Sequence, residues 1–158
     1  MKNLKKLVIS SIVVATSMSA SNFSVKLGYD SMKLGNISDT GASISMISSK
    51  SNKGFAYELG YAKGSKLAVT KVAGIYNWKI NDKYYLGANI GFHGVNMIET
   101  ESYSQTDFTG YTLGIQGKYA INKNNSIDLS YGSGSASDKT GMVSESLSLA
   151  SISYSYRF

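Results

Sequence analysis

In YTLGIQGKY, residues Tyr111 to Tyr119, the apolar Tyr111, Leu113, Ile115 and Tyr119 fall on one phase of a two-residue period. Thr112, Gly114, Gln116 and Lys118 occupy the other. Successive side chains of a β-strand point to opposite faces, so this stretch reads as a strand with one apolar and one polar face. Its two outer tyrosines are eight residues apart. That is about 27 Å along a strand and about 20 Å along a barrel axis when strands tilt by roughly 40°. Tyr84 and Phe92 repeat the spacing.

The same period recurs in seven further blocks separated by Gly, Asn, Asp, Ser and Lys. Asn22–Leu34 sets Phe23, Val25, Leu27 and Tyr29 against Ser24, Lys26, Gly28 and Asp30, and Ala42–Ser49 sets Ala42, Ile44 and Met46 against Ser43 and Ser45. Gly54–Tyr61 places Phe55, Tyr57, Leu59 and Tyr61 opposite Ala56, Glu58 and Gly60. In Leu67–Trp78, Val72, Tyr76 and Trp78 oppose Lys71, Ala73 and Asn77. Tyr84–Val95 carries Tyr84, Leu86, Ala88, Ile90 and Phe92 against Gly87, Asn89, Gly91 and His93, and Ser126–Gly132 carries Ile127, Leu129 and Tyr131 against Asp128, Ser130 and Gly132. The last block ends with Ile152, Tyr154, Tyr156 and Phe158 facing away from Ser151, Ser153, Ser155 and Arg157. Leu147 and Leu149 lie in the opposite phase, which predicts a bulge near Ala150 or a later strand start.

The polar faces hold Ser, Gly, Thr, Asn and single charges, too hydrophilic for the dry core of a soluble barrel but suited to a narrow polar lumen. The apolar faces are aliphatic in the middle and aromatic at the ends, with Trp78, Tyr84, Phe92, Tyr111 and Tyr119 placed to form two girdles. The expected fold is all-β: an eight-stranded antiparallel up-and-down transmembrane β-barrel.

At 158 residues the chain has room for one such domain, and 42% hydrophobic residues with a mean hydropathy of −0.11 is too little for a helical membrane protein. Residues 1–20 read as a secretory signal: Lys2, Lys5 and Lys6, then an apolar run from Leu7 to Ala15, then small residues to Ala20. The barrel domain occupies 21–158. Removal of the leader takes three lysines with it, and the formal charge falls from +6 to +3. No basic run remains to track a phosphate backbone, so nucleic acid is not an expected partner. With no cysteine there is no disulfide, thiolate nucleophile or cysteine metal site, and no cofactor or metal is expected. The absence of proline suits a chain with many ladders to fill.

From a periplasmic N-terminus, turns are expected at Lys50–Lys53, Lys79–Lys83 and Ala120–Asn125. Outer loops, longer on average, are expected at Gly35–Gly41, Ala62–Lys66, Val95–Thr109 and Ser133–Gly141. Asn81-Asp82 and Asn122 to Asn125 are residue types that tolerate unusual turn dihedrals.

With its eight blocks and the terminal Ser153-Tyr-Ser-Tyr-Arg-Phe158, the mature chain resembles the small outer-membrane β-barrel families, the OmpX-like, opacity-like and OmpA transmembrane-domain barrels. The resemblance is architectural. It implies the outer membrane of a Gram-negative bacterium, contact with outer-membrane lipids, and passage through periplasmic chaperones. It also implies that Tyr154, Tyr156 and Phe158 form the signal by which the barrel-assembly machinery takes up the chain.

The inward phase assigns a polar lumen network to Lys26, Glu58, Lys71, His93, Lys118, Asp128 and Arg157. An eight-stranded barrel is just wide enough inside for side chains, so mixed signs read as a salt-bridged plug in preference to an ion path. His93 is the one histidine and reads as a lumen hydrogen-bonding residue. The resembling lipid A deacylases carry His-x-Ser-Asn where this chain has His93-Gly94-Val95-Asn96, so their motif is absent and no catalytic residue is assigned. The third loop holds Glu99, Glu101 and Asp107 without a basic residue, and its spacing does not match a calcium loop. Tyr103 and Phe108 flank it either as headgroup anchors or as a tip for a partner. The leading functional reading is a non-enzymatic structural or surface-interaction barrel, its envelope or host partner met through residues 96–107. A narrow solute channel is second and a lipid-modifying enzyme third.

Overall fold

The computed structural model describes residues 23–98 and 107–158; the leader expected over residues 1–20 lies outside them, as do Glu99, Glu101 and Tyr103. Eight strands follow in order: β1 (Phe23–Leu34), β2 (Ile37–Ser49), β3 (Gly54–Lys63), β4 (Leu67–Lys79), β5 (Tyr84–Met97), β6 (Asp107–Ala120), β7 (Asn125–Asp138) and β8 (Ser144–Arg157). Each pairs antiparallel with the next, and β8 closes on β1. The Phe158 amide donates to the Phe23 carbonyl at 3.0 Å, and the two rings stack with centroids 6.1 Å apart.

Paired residues followed around the wall from Ser24 run through Ile47, Glu58, Ala73, Gly91, Thr112, Gly134 and Leu147, and return to β1 at Leu34, ten residues further on. A stagger of that size tilts the strands by about 40°. It also brings residues of very different number to one level.

Outward-facing residues form an apolar belt. Leu27, Ile44, Phe55, Val72, Ile90, Leu113, Leu129 and Ile152 are all exposed, Phe55 at 72% and Leu113 at 60%, an amount of apolar surface that water would penalise and hydrocarbon would not. Aromatic rings bound the belt on both sides. Toward the end holding the termini lie Trp78, Tyr84, Tyr119 and Tyr156, with Tyr84 and Tyr119 centred 5.1 Å apart; toward the loop end lie Tyr29, Phe92, Tyr111 and Tyr131.

Beyond the second ring the alternation continues with reversed polarity. Ser31, Lys33, Ser38, Thr40, Ser133, Ser144 and Ser146 face outward and are exposed. Met32, Leu34, Ala62, Leu67, Val69, Val95, Phe108, Ala136 and Leu147 face inward and form one buried cluster, with Ile37, Met97 and Leu149 packed against it. Every strand contributes to this cap.

The reversal corrects three expectations. The register of β8 is unbroken: Ser148, Leu149, Ala150 and Ser151 pair in turn with Lys33, Met32, Ser31 and Asp30, so there is no bulge. Leu147 and Leu149 are out of phase because they belong to the cap. Phe108 is likewise an inward cap residue, 6% exposed, and neither a headgroup anchor nor a loop tip. Two connections expected as long loops are short, because strands whose outward face turns polar look like loops in sequence. The β1–β2 connection is only Gly35 and Asn36, with Gly35 at φ 56°, and β3–β4 is only Gly64, Ser65 and Lys66. These two are shorter than the four-residue turns at the terminal end, while the loop-end connections stay longer on average through residues 98–106 and 139–143.

The asparagines at the terminal end act differently from expectation too, since no non-glycine residue among those described has a positive φ. Asn81 Oδ1 accepts from the Lys83 and Tyr84 amides, and Asn122 Oδ1 from those of Asn124 and Asn125, each at 2.9 Å. Their side chains close the turns by capping backbone donors.

Candidate functional site

Within the belt the lumen is filled by charge. Lys71 of β4 meets Glu58 of β3 at 2.7 Å; Lys26 of β1 lies 3.8 Å from both Glu58 and Asp128 of β7; and Lys118 of β6 lies 3.6 Å from Asp128. The result is a chain of alternating sign, Lys71–Glu58–Lys26–Asp128–Lys118, strung across the barrel. Lys26, Glu58 and Asp128 are buried, with Asp128 1% exposed. Such ions are tolerable inside a protein only when paired, and removing one partner strands the other. The Ser126 hydroxyl donates to the second Asp128 oxygen at 2.9 Å.

Neutral groups complete the filling. Gln116 Nε2 donates to Asn77 Oδ1 at 2.6 Å, and the Ser43 hydroxyl donates to Asp30 at 2.6 Å. His93 Nε2 lies 2.8 Å from the Thr112 hydroxyl, while its Nδ1 has no partner. A cavity of about 40 Å³ remains among Asp30, Lys71, His93, Thr112 and Gln116, room for two or three waters and not for a solute.

Of the seven residues assigned to the lumen, the structure joins five in the ionic chain. His93 sits apart, just below the cap. Arg157 sits at the opposite mouth, where its Nη2 donates to the Ser49 carbonyl at 2.8 Å and to the Ser49 hydroxyl at 2.7 Å. Asp30, Asn77, Thr112 and Gln116 went unassigned although the inward phase marks each of them. The apolar cap was missed altogether; its signal was the shared phase of Met32, Leu34, Leu147 and Leu149 with polar residues lower on the same strands.

The arrangement closes the lumen. Above the ionic chain the cap presents Met32, Leu67 and Leu147, all at 0% exposure, and beside it Ile47, the cross-strand partner of Glu58, forms a second buried cluster with Ala56 and Ile75. Among the described residues no three His, Asp or Glu side chains converge as metal ligands.

The loop-end rim is tied down. Asp39, above the belt on β2, accepts from the backbone amides of Lys66 and Leu67 at 2.6 and 2.8 Å, from its neighbour Thr40 at 2.9 Å, and from the Ser65 hydroxyl at 3.1 Å. Partial burial opposes its ionisation, but these donors prevail and hold its carboxyl below the usual carboxylate range. Lys139 of the β7–β8 loop ion-pairs with Asp107, so the acidic third loop is partly neutralised from its neighbour.

No protein-family model matches the chain, and no curated protein sequence does. Solved structures do match. The N-terminal β-barrel domain of Pseudomonas aeruginosa OprF aligns with a TM-score of 0.59 at 16% identity, over 84% of this chain and 97% of that one. Ail, the attachment invasion locus protein of Yersinia pestis, aligns at 0.59 and 14% identity, over 87% and 99%. Neisserial surface protein A aligns at 0.57 and 18% identity, over 86% and 97%. The fold is that of the small eight-stranded outer-membrane β-barrels. At these identities the likeness extends to the fold alone.

Proposed function

We propose that the chain is exported, loses its leader, and serves in the outer membrane of a Gram-negative bacterium as a sealed, non-enzymatic barrel that displays its rim to envelope or host-surface partners. The observation that carries this reading is the closed lumen: salt-bridged in the belt and capped by twelve apolar side chains drawn from all eight strands. An apolar constriction of this kind excludes water and with it ions. The expected belt height, the two aromatic rings and the likeness to outer-membrane barrels support the location. The absent His-x-Ser motif and the engagement of His93 with Thr112 argue against lipid-modifying chemistry.

Planar-bilayer recording tests the sealed lumen. The purified barrel is expected to give no stable single-channel steps, and discrete steps would favour the narrow channel instead. Because Asn96 and Met97 belong to β5 and Asp107 to β6, trimming is confined to residues 99–106; it is expected to abolish surface attachment while leaving heat-modifiable gel mobility intact, and unchanged attachment would remove that loop from the proposal.

A further inference from the structure

The barrel wall has a groove in it. An apolar depression of about 570 Å³ crosses the belt obliquely from Leu86 on β5 to Tyr29 on β1, walled by Ile115, Leu129, Tyr131 and Ile152. It exists because Gly117 and Ala150 stand on its floor where their outward neighbours are large. A Cβ at Gly117 would meet no atom within 4 Å, so the space above it is open.

At its loop end the groove reaches Ser31 and continues into a hydroxyl ladder. Ser133 pairs with Ser148, Ser135 with Ser146 and Ser137 with Ser144, and Lys33, exposed two residues beyond Ser31, pairs with Ser148. The ladder rises four residues from Ser133 to Ser137, about 13 Å along the strand. An apolar slot thus passes, at the level of the outer aromatic ring, into a strip of serines with one ammonium beside it.

We propose that this composite surface binds one phosphorylated glycolipid of the outer leaflet: an acyl chain lies in the groove, sugar hydroxyls meet the serine ladder, and a phosphate meets Lys33. The inference rests on the membrane reading above. The length of the ladder selects the ligand class, since a glycerophospholipid headgroup spans only its first rung.

The test uses the mature barrel in vesicles of phosphatidylethanolamine and phosphatidylglycerol, with lipid A equimolar to phosphatidylglycerol. Native mass spectrometry reads the lipids retained on release, and heat-modifiable gel mobility is read on the same sample. One lipid A per barrel is expected, in preference to either phospholipid. Gly117→Leu and Ala150→Leu, which fill the floor from the lipid side, are each expected to lower its retention roughly three-fold, the scale of a single side-chain interaction inside a membrane. Lys33→Glu is expected to lower retention of lipid A but not of its dephosphorylated form. Retention in proportion to bulk composition, retention unchanged by Gly117→Leu, or a barrel dimer dispersed by Gly117→Leu would each overturn the proposal. A wild-type band that does not shift on boiling would sink the barrel reading itself, and the lipid site with it.

Discussion

Up to Tyr29, β1 turns Val25, Leu27 and Tyr29 outward and Lys26 and Gly28 inward; beyond it, Ser31 and Lys33 face out while Met32 and Leu34 face in. One strand, with one unbroken register, is built for two solvents. In the belt the outer face meets hydrocarbon and the inner face must satisfy its own charges. At the rim the outer face meets water and the inner face is an ordinary dry core. Backbone pairing is indifferent to the difference, because every ladder bond is made within the barrel in either solvent. Side-chain chemistry alone sets where the membrane ends.

The largest expected effect falls on the ionic side of this contrast. Glu58→Leu leaves Lys26 and Lys71 without their shared carboxylate, and the unfolding free energy in urea should drop by about 3–5 kcal/mol. A variant as stable as wild type would mean that the lumen is wetter than the packing implies. In the cap, Leu147→Ala should cost about 2–5 kcal/mol by the same titration, the usual penalty for a cavity at a fully buried leucine. A loss well under 1 kcal/mol would indicate that the cap is loosely packed.

A pair of arginines probes the outer faces. Leu129→Arg places a cation in the belt and should destabilise the vesicle-inserted barrel by about 2–4 kcal/mol, whereas Ser146→Arg, above the belt, should stay within about 0.5 kcal/mol. Equal penalties would erase the distinction between the two regions. The smallest effect is expected at Asp39→Asn, which weakens charge-assisted bonds to Lys66 and Leu67. Faster hydrogen exchange confined to residues 64–67 should result, and exchange accelerated throughout the barrel would assign Asp39 a global role.

The belt was legible in the sequence and the rim was not, for one physical reason. Alternation reveals a strand only when the reader knows which face is apolar. At Tyr111–Tyr119 the outward phase is apolar throughout; at Ser133–Asp138 it is serine, and the inward phase is Gly134 and Ala136, so a strand passed for a loop. The Gly35-Asn36 hairpin was hidden the same way by Ser38 and Thr40. Lumen residues such as Lys26 and Asp128 were identifiable by phase, but their meeting depends on a ten-residue stagger that no single strand encodes.

Site-directed spin labelling along β8 tests the two-solvent account most directly, and a chain without native cysteine makes it clean. Single cysteines at Ser146, Ser148, Ile152 and Tyr154, labelled in vesicles, would be probed by oxygen, which partitions into lipid, and by a polar nickel chelate. Oxygen accessibility is expected at residues 152 and 154, which face the belt, and chelate accessibility at 146 and 148 above it. Oxygen-dominated accessibility at all four positions would contradict the two-solvent account.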